Sequence, residues 1–104
     1  MNHFYVIVIP STIYNVPAAD VIIDGLRLAV KLAFAEAFGG YTETEATGGY
    51  KAESGELIEE RVYLVKAAYE VEDDALVASL AAKIKTELHQ ESVMVWKDHV
   101  VYFQ

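Results

Sequence analysis

The sequence has no cysteine, so it carries no disulfide framework, no thiolate nucleophile and no thiolate metal site. It also lacks a run of 18 apolar residues. The apolar stretches are of strand length or are broken by Asp24, Arg27 and Lys31, which leaves no segment that reads as a membrane-spanning helix. The start, Met1 to Pro10, has no basic segment and no small-residue cleavage site. It reads as a strand rather than a signal peptide, and a cytoplasmic setting is the default expectation. Bases are scarce: 8 Lys and Arg against 16 Asp and Glu give a net charge of −8, which repels phosphate backbones and argues against a nucleic-acid partner. Metal-ligand spacing is absent too. His3, His89 and His99 fall in different segments, and His89-Gln90-Glu91 supplies two ligand types without an evident third. Ser11, Ser54, Ser79 and Ser92 have no nucleophile-elbow context, and no phosphate-binding P-loop is present. No cofactor, no metal and no catalytic residue is therefore expected.

What is present belongs to one folded domain spanning 1–104, since a hydrophobic fraction of 54% can fill a core at this length. His3 to Ile9 is dense in β-branched and aromatic residues and predicts a central strand. Ser11 to Pro17 reads as a polar-aromatic loop stiffened by Pro10 and Pro17, with Pro17 suited to the first turn of a helix. From Ala18 to Phe38 the period is helical, with a core stripe expected at Ile22, Leu26, Ala29, Ala33 and Ala37. The apolar arc is wider than one face, which predicts a second neighbour such as a subunit interface. Gly39 and Gly40 stop that helix, and Tyr41 to Thr47 alternates as a strand before Gly48 and Gly49.

Ala52 to Glu56 turns the chain, and Leu57 to Val71 alternates as one long strand, with a bulge expected near Ala67-Ala68. Asp73 or Asp74 caps a second helix that runs to about His89, with Leu76, Leu80, Ile84 and Leu88 facing the core. Glu91 to Gln104 is a strand, a Lys97-Asp98-His99 turn and a further strand, or one kinked edge. The order β-α-β-β-α-β predicts an α+β, ferredoxin-like split βαβ sandwich with two helices on one face of an antiparallel sheet. In that arrangement the Gly39 and Gln90-Glu91 corners are expected at the end of the N-terminus. The Ser11–Pro17 loop, the Gly49–Gly55 hairpin and the start of the second helix are expected at the other. The remaining aromatic and β-branched residues exceed what an open sheet face leaves in water, which predicts a homo-oligomer.

The string Phe38-Gly-Gly-Tyr-Thr42, Gly48-Gly-Tyr50, Gly55-Glu-Leu-Ile-Glu-Glu60 and Gln90-Glu-Ser-Val93 resembles a loose group of small bacterial and phage α+β proteins. The resemblance covers roughly residues 38 to 95, with Tyr50 where the group more readily has Trp. It implies an α+β fold and a bacterial or viral source, and no activity.

Three classes of function follow. The first is a non-catalytic binding protein. Ser11, Thr12, Tyr14 and Asn15, held beside Tyr50 and Lys51, combine hydroxyls, an amide, stacking rings and a cation suited to a small polar or nucleotide-like ligand, with His99 joining if the last segment reaches that end. In a phage such a protein would sequester a host nucleotide-like molecule without cleaving it. The second class is an acidic inhibitor of a basic protein, acting through Glu43, Glu45, Glu53, Glu56, Glu59 and Glu60. A small enzyme whose site carries no recognisable motif is the third.

Overall fold

A computed structural model of the chain describes residues 3–104. The first strand, β1 (Phe4–Ile9), is followed by a small hairpin, β2 (Thr12–Ile13) and β3 (Val16–Pro17), and by helix α1 (Asp20–Phe38). Strands β4 (Thr42–Lys51) and β5 (Leu57–Ala68), helix α2 (Asp74–Leu88), and strands β6 (Met94–Lys97) and β7 (Val100–Phe103) complete the chain. The main sheet has the order β4-β5-β1-β6-β7, with antiparallel pairing throughout. This is the expected ferredoxin-like α+β fold with the additional C-terminal edge strand, and the final segment is a hairpin.

The sheet's alternation decides where the core sits. Tyr5, Ile7, Ile9, Tyr63, Val65, Ala67 and Val95 point to one face and are buried against α1 and α2. From α1 the buried contributors are Ile23, Leu26, Val30 and Phe34, so the stripe is turned from the expected one, leaving Ile22 half-buried and Ala37 exposed. The larger side chains take the inner face because burying a Leu, Ile, Val or Phe yields roughly 1.5–3 kcal/mol, far more than burying an alanine methyl. From α2 the contributors are Val77, Leu80, Ala81, Ile84 and Leu88, close to expectation. Asp73 caps α2 by accepting from the Leu76 N–H, whereas α1 begins after Ala19 with no side-chain cap. Gly39, at φ 90°, ends α1 and donates its N–H to the Ala35 carbonyl.

Several local expectations are corrected. The Ser11–Pro17 stretch is a hairpin in which Tyr14 (φ 49°) and Asn15 (φ 62°) form the two-residue turn, so Pro17 closes a strand rather than opening a helix. No bulge interrupts β5, which pairs with β1 continuously from Tyr63 to Ala68. The two ends of α2 are exchanged relative to the expected loop sorting. Its start lies with the N-terminus, where the Tyr5 hydroxyl donates to Asp74 at 2.6 Å. Its C-terminal corner lies with the hairpin, where the Gln90 amide donates to the Thr12 carbonyl at 3.0 Å. β5 runs antiparallel to β1 and so ends at the N-terminal end, and α2 crosses back to the opposite end to start β6, which is parallel to β5 on the other side of β1.

Candidate functional site

Among the described residues, no helix covers the second face of the sheet. It is built from the other parity of each strand: Ala46, Gly48 and Tyr50 on β4, Ile58, Glu60, Val62 and Leu64 on β5, Val6 and Val8 on β1, Met94 and Trp96 on β6, and Phe103 on β7. A groove of ≈ 500 Å³ runs over this face. Val8, Pro10, Val62, Leu64, Met94, Trp96 and Phe103 make it apolar, and Thr12, Asn15, Tyr50 and Glu60 make one end polar. The volume falls in the range of small-molecule sites, which combine apolar walls with a few placed polar groups.

The polar end is assembled by the β2–β3 hairpin. Glu60, reaching across from β5, accepts the Ser11 N–H at 3.2 Å and the Thr12 hydroxyl at 2.8 Å, both on Oε2. The Ser11 hydroxyl donates to the Arg61 carbonyl. At the hairpin tip the Tyr50 hydroxyl donates to Asn15 Oδ1 at 3.1 Å, and the Tyr14 ring stacks on His89 with centroids 5.8 Å apart. A tyrosine at positive φ is uncommon, and here the turn that requires it sits at the rim of the groove. A second, more polar depression of ≈ 320 Å³ continues from the same rim past Tyr14, His89 and Glu91. Gly48 and Gly49 are not flexible backbone; they pair in the ladder with Glu60 and Glu59. A Cβ at Gly48 would stand 3.2 Å from Val62 Cγ1, and one at Gly49 would stand 3.1 Å from the Ile58 carbonyl oxygen.

The structure brings Ser11, Thr12, Asn15 and Tyr50 together as expected, with Tyr14 at the rim beside them. Lys51 is exposed, pairs with Leu57 at the sheet edge and is not part of the groove wall. His99 is a correction. It lies in the β6–β7 turn at the opposite end, edge-on to Phe4 with ring centroids 6.0 Å apart. The β6 strand runs antiparallel to β1 and so delivers that turn to the N-terminal end. Trp96 and Phe103 are groove residues that the sequence did not single out, and Glu60 was expected only in the acidic ridge. Their signal was the strand parity that groups Glu60 with Val62 and Leu64, and Met94 with Trp96; that parity marks a face without saying that a groove lies on it.

The acidic ridge is partly neutralised within the protein. Glu43 receives the Arg27 guanidinium at 2.8 and 2.9 Å and lies 3.5 Å from Lys31, and Arg27 in turn stacks over Tyr63 at 4.1 Å. Hydrogen bonding to Arg27 holds the Glu43 carboxyl below the usual carboxylate range. Glu60 is turned to the groove. That leaves Glu45, Glu53, Glu56 and Glu59 of the six acids on the exposed surface.

No family model and no curated protein matches the sequence. Two solved structures match the fold. A phage SAM lyase in complex with S-methyl-5′-thioadenosine aligns with a TM-score of 0.68 at 18% identity, over 99% of this chain and 89% of its own. A phage SAM lyase in the apo state aligns at 0.66 and 16% identity, over 99% and 88%. At this identity the likeness establishes the shared α+β architecture.

Proposed function

We propose that the groove on the open sheet face binds a small nucleoside of the S-adenosylmethionine and methylthioadenosine class, held in a homo-oligomer that covers part of the remaining apolar face. The observation that carries this is the two-ended character of the groove. A flat heterocycle suits the walls made by Val8, Leu64, Trp96 and Phe103, and hydroxyl groups suit the rim made by Thr12, Asn15, Tyr50 and Glu60. The solved structure bound to S-methyl-5′-thioadenosine supports the ligand class, because it shares the fold over nearly the whole chain. Holding the nucleoside intact amounts to sequestration, and it asks nothing of the site beyond complementarity.

A second reading, cleavage of a sulfonium nucleoside, is favoured by Glu60. Both of its hydrogen bonds within the protein fall on Oε2, so Oε1 is not engaged by either and can face a cationic sulfur. In S-adenosylmethionine the substrate's own carboxylate can attack the carbon bound to sulfur, closing a lactone as the C–S bond breaks and its electron pair leaves on sulfur as a neutral thioether, with no water or proton consumed. The site then has only to orient the cation and place a carboxylate near it.

Calorimetric titration with S-adenosylmethionine and with methylthioadenosine, followed by chromatography of the incubated mixture, tests both readings. Saturable binding with the nucleoside recovered intact is the expected result. Release of methylthioadenosine would replace sequestration by cleavage, and Glu60→Gln should then abolish it. Absence of both binding and cleavage overturns the proposal.

A further inference from the structure

We infer that the indole N–H of Trp96 recognises an acceptor nitrogen on the heteroaromatic ring of the ligand, an inference that rests on the nucleoside reading of the groove. Among the described residues, Trp96 Nε1 is a buried side-chain nitrogen with no hydrogen-bond partner. Tryptophan has one polar side-chain atom, and it can only donate. Buried donors are paired in the great majority of proteins, because leaving one unpaired forfeits its hydration with nothing in return. Solvent does not reach this atom where it stands and no described residue supplies an acceptor, so a ligand in the groove is the partner it would gain once the ring turns.

Placement narrows the acceptor's chemistry. Trp96 stands in register with Val6 and lines the apolar part of the groove with Val8, Leu64 and Phe103. The polar groups that would meet hydroxyls, Thr12 and Glu60 among them, gather at the other end, where Glu60 pairs with Gly48. A donor set among apolar walls meets the flat part of a nucleoside, whose acceptors are ring nitrogens. The ring is half-buried rather than locked in the core, so it can turn its N–H towards a seated ligand.

The test compares wild type with Trp96→Phe, which keeps an aromatic surface and removes the donor. Methylthioadenosine binding is measured by calorimetry, and the Trp96 indole ¹H–¹⁵N resonance of the wild type is followed during titration with methylthioadenosine and with free purine. Expected are a loss of about tenfold in affinity in the variant and a downfield shift of the indole proton in the wild type. Undiminished binding by Trp96→Phe with a stationary indole resonance overturns the inference and leaves the nucleoside reading standing. If methylthioadenosine fails to bind while purine moves the resonance, the nucleoside reading falls and the donor role stands. If methylthioadenosine does not bind and neither ligand moves the resonance, both fall. Should Trp96→Phe not fold, the wild-type titration decides alone.

Discussion

At the scale of single residues, α1 is tied to the sheet by a charge cluster around Arg27. Arg27 on α1 reaches Glu43 on β4 with two hydrogen bonds and lies over Tyr63 on β5, so three elements meet at one guanidinium. Glu43 is largely shielded, with a side-chain exposure of 18%, which keeps the pair from being screened as a surface ion pair would be. Its folded-state pKa lies below the reference value of 4.5. The stabilisation is therefore present above pH 4.5 and is lost as pH falls through the folded value. Glu43→Gln should cost about 1–3 kcal/mol at pH 7, and the gap from wild type should close as the pH falls from neutral through the lowered carboxylate range. Urea denaturation of both proteins across that range measures it, and a gap independent of pH would show that the carboxylate's charge is immaterial.

At the scale of elements, the two helices are finished differently. Asp73 caps α2, and the Tyr5 hydroxyl both donates to Asp74 and accepts the Asp73 N–H at 3.0 Å, tying β1 to the helix start. Burial raises the Tyr5 pKa well above the ordinary phenol value, so this hydroxyl remains a donor throughout the physiological range. Helix α1 has Ala19 at its cap position, with φ −59° and ψ 140° already in the extended region that a capping residue adopts. Ala19→Ser should thus stabilise the protein by about 0.5–1 kcal/mol. Thermal unfolding should register this as a rise in Tm of roughly 2–8 °C. A fall in Tm would mean that the backbone there does not present its free N–H groups to the side chain.

At the scale of the whole molecule, the two faces of the sheet are unequal. One is closed by helices, and the other carries Val101 and Phe103 at 49% and 63% exposure beside the groove. The outer surface of α1 adds Val21, Leu28 and Leu32, all more than half exposed. Leu28 and Leu32 lie one turn apart on α1, and Val101 and Phe103 share one face of β7; exposed apolar residues grouped in this way mark interaction sites more often than scattered ones do. Native mass spectrometry at low salt should therefore find a multiple of the 11.5 kDa chain. A bare monomer under those conditions would overturn the oligomer.

Much of this architecture was legible from local pattern alone. The two-residue period of Leu57 to Ala68 and the caps and stripes of α2 are short-range properties, set by sterics and by hydrophobic burial on one side of an element. The element order leads to the ferredoxin-like topology, and the Ser11–Asn15 stretch and Tyr50, expected to lie side by side, do so at the rim of the groove. Tertiary structure decided what periodicity leaves open. Parity separates Glu60, Val62 and Leu64 from Tyr63 and Val65, but only the placement of both helices on one face makes the first set a groove wall. The end of the sheet at which a turn lies depends on strand direction accumulated over the whole chain. For that reason His99 is carried away from the site while Glu60 and Trp96, far apart in sequence, are brought to it.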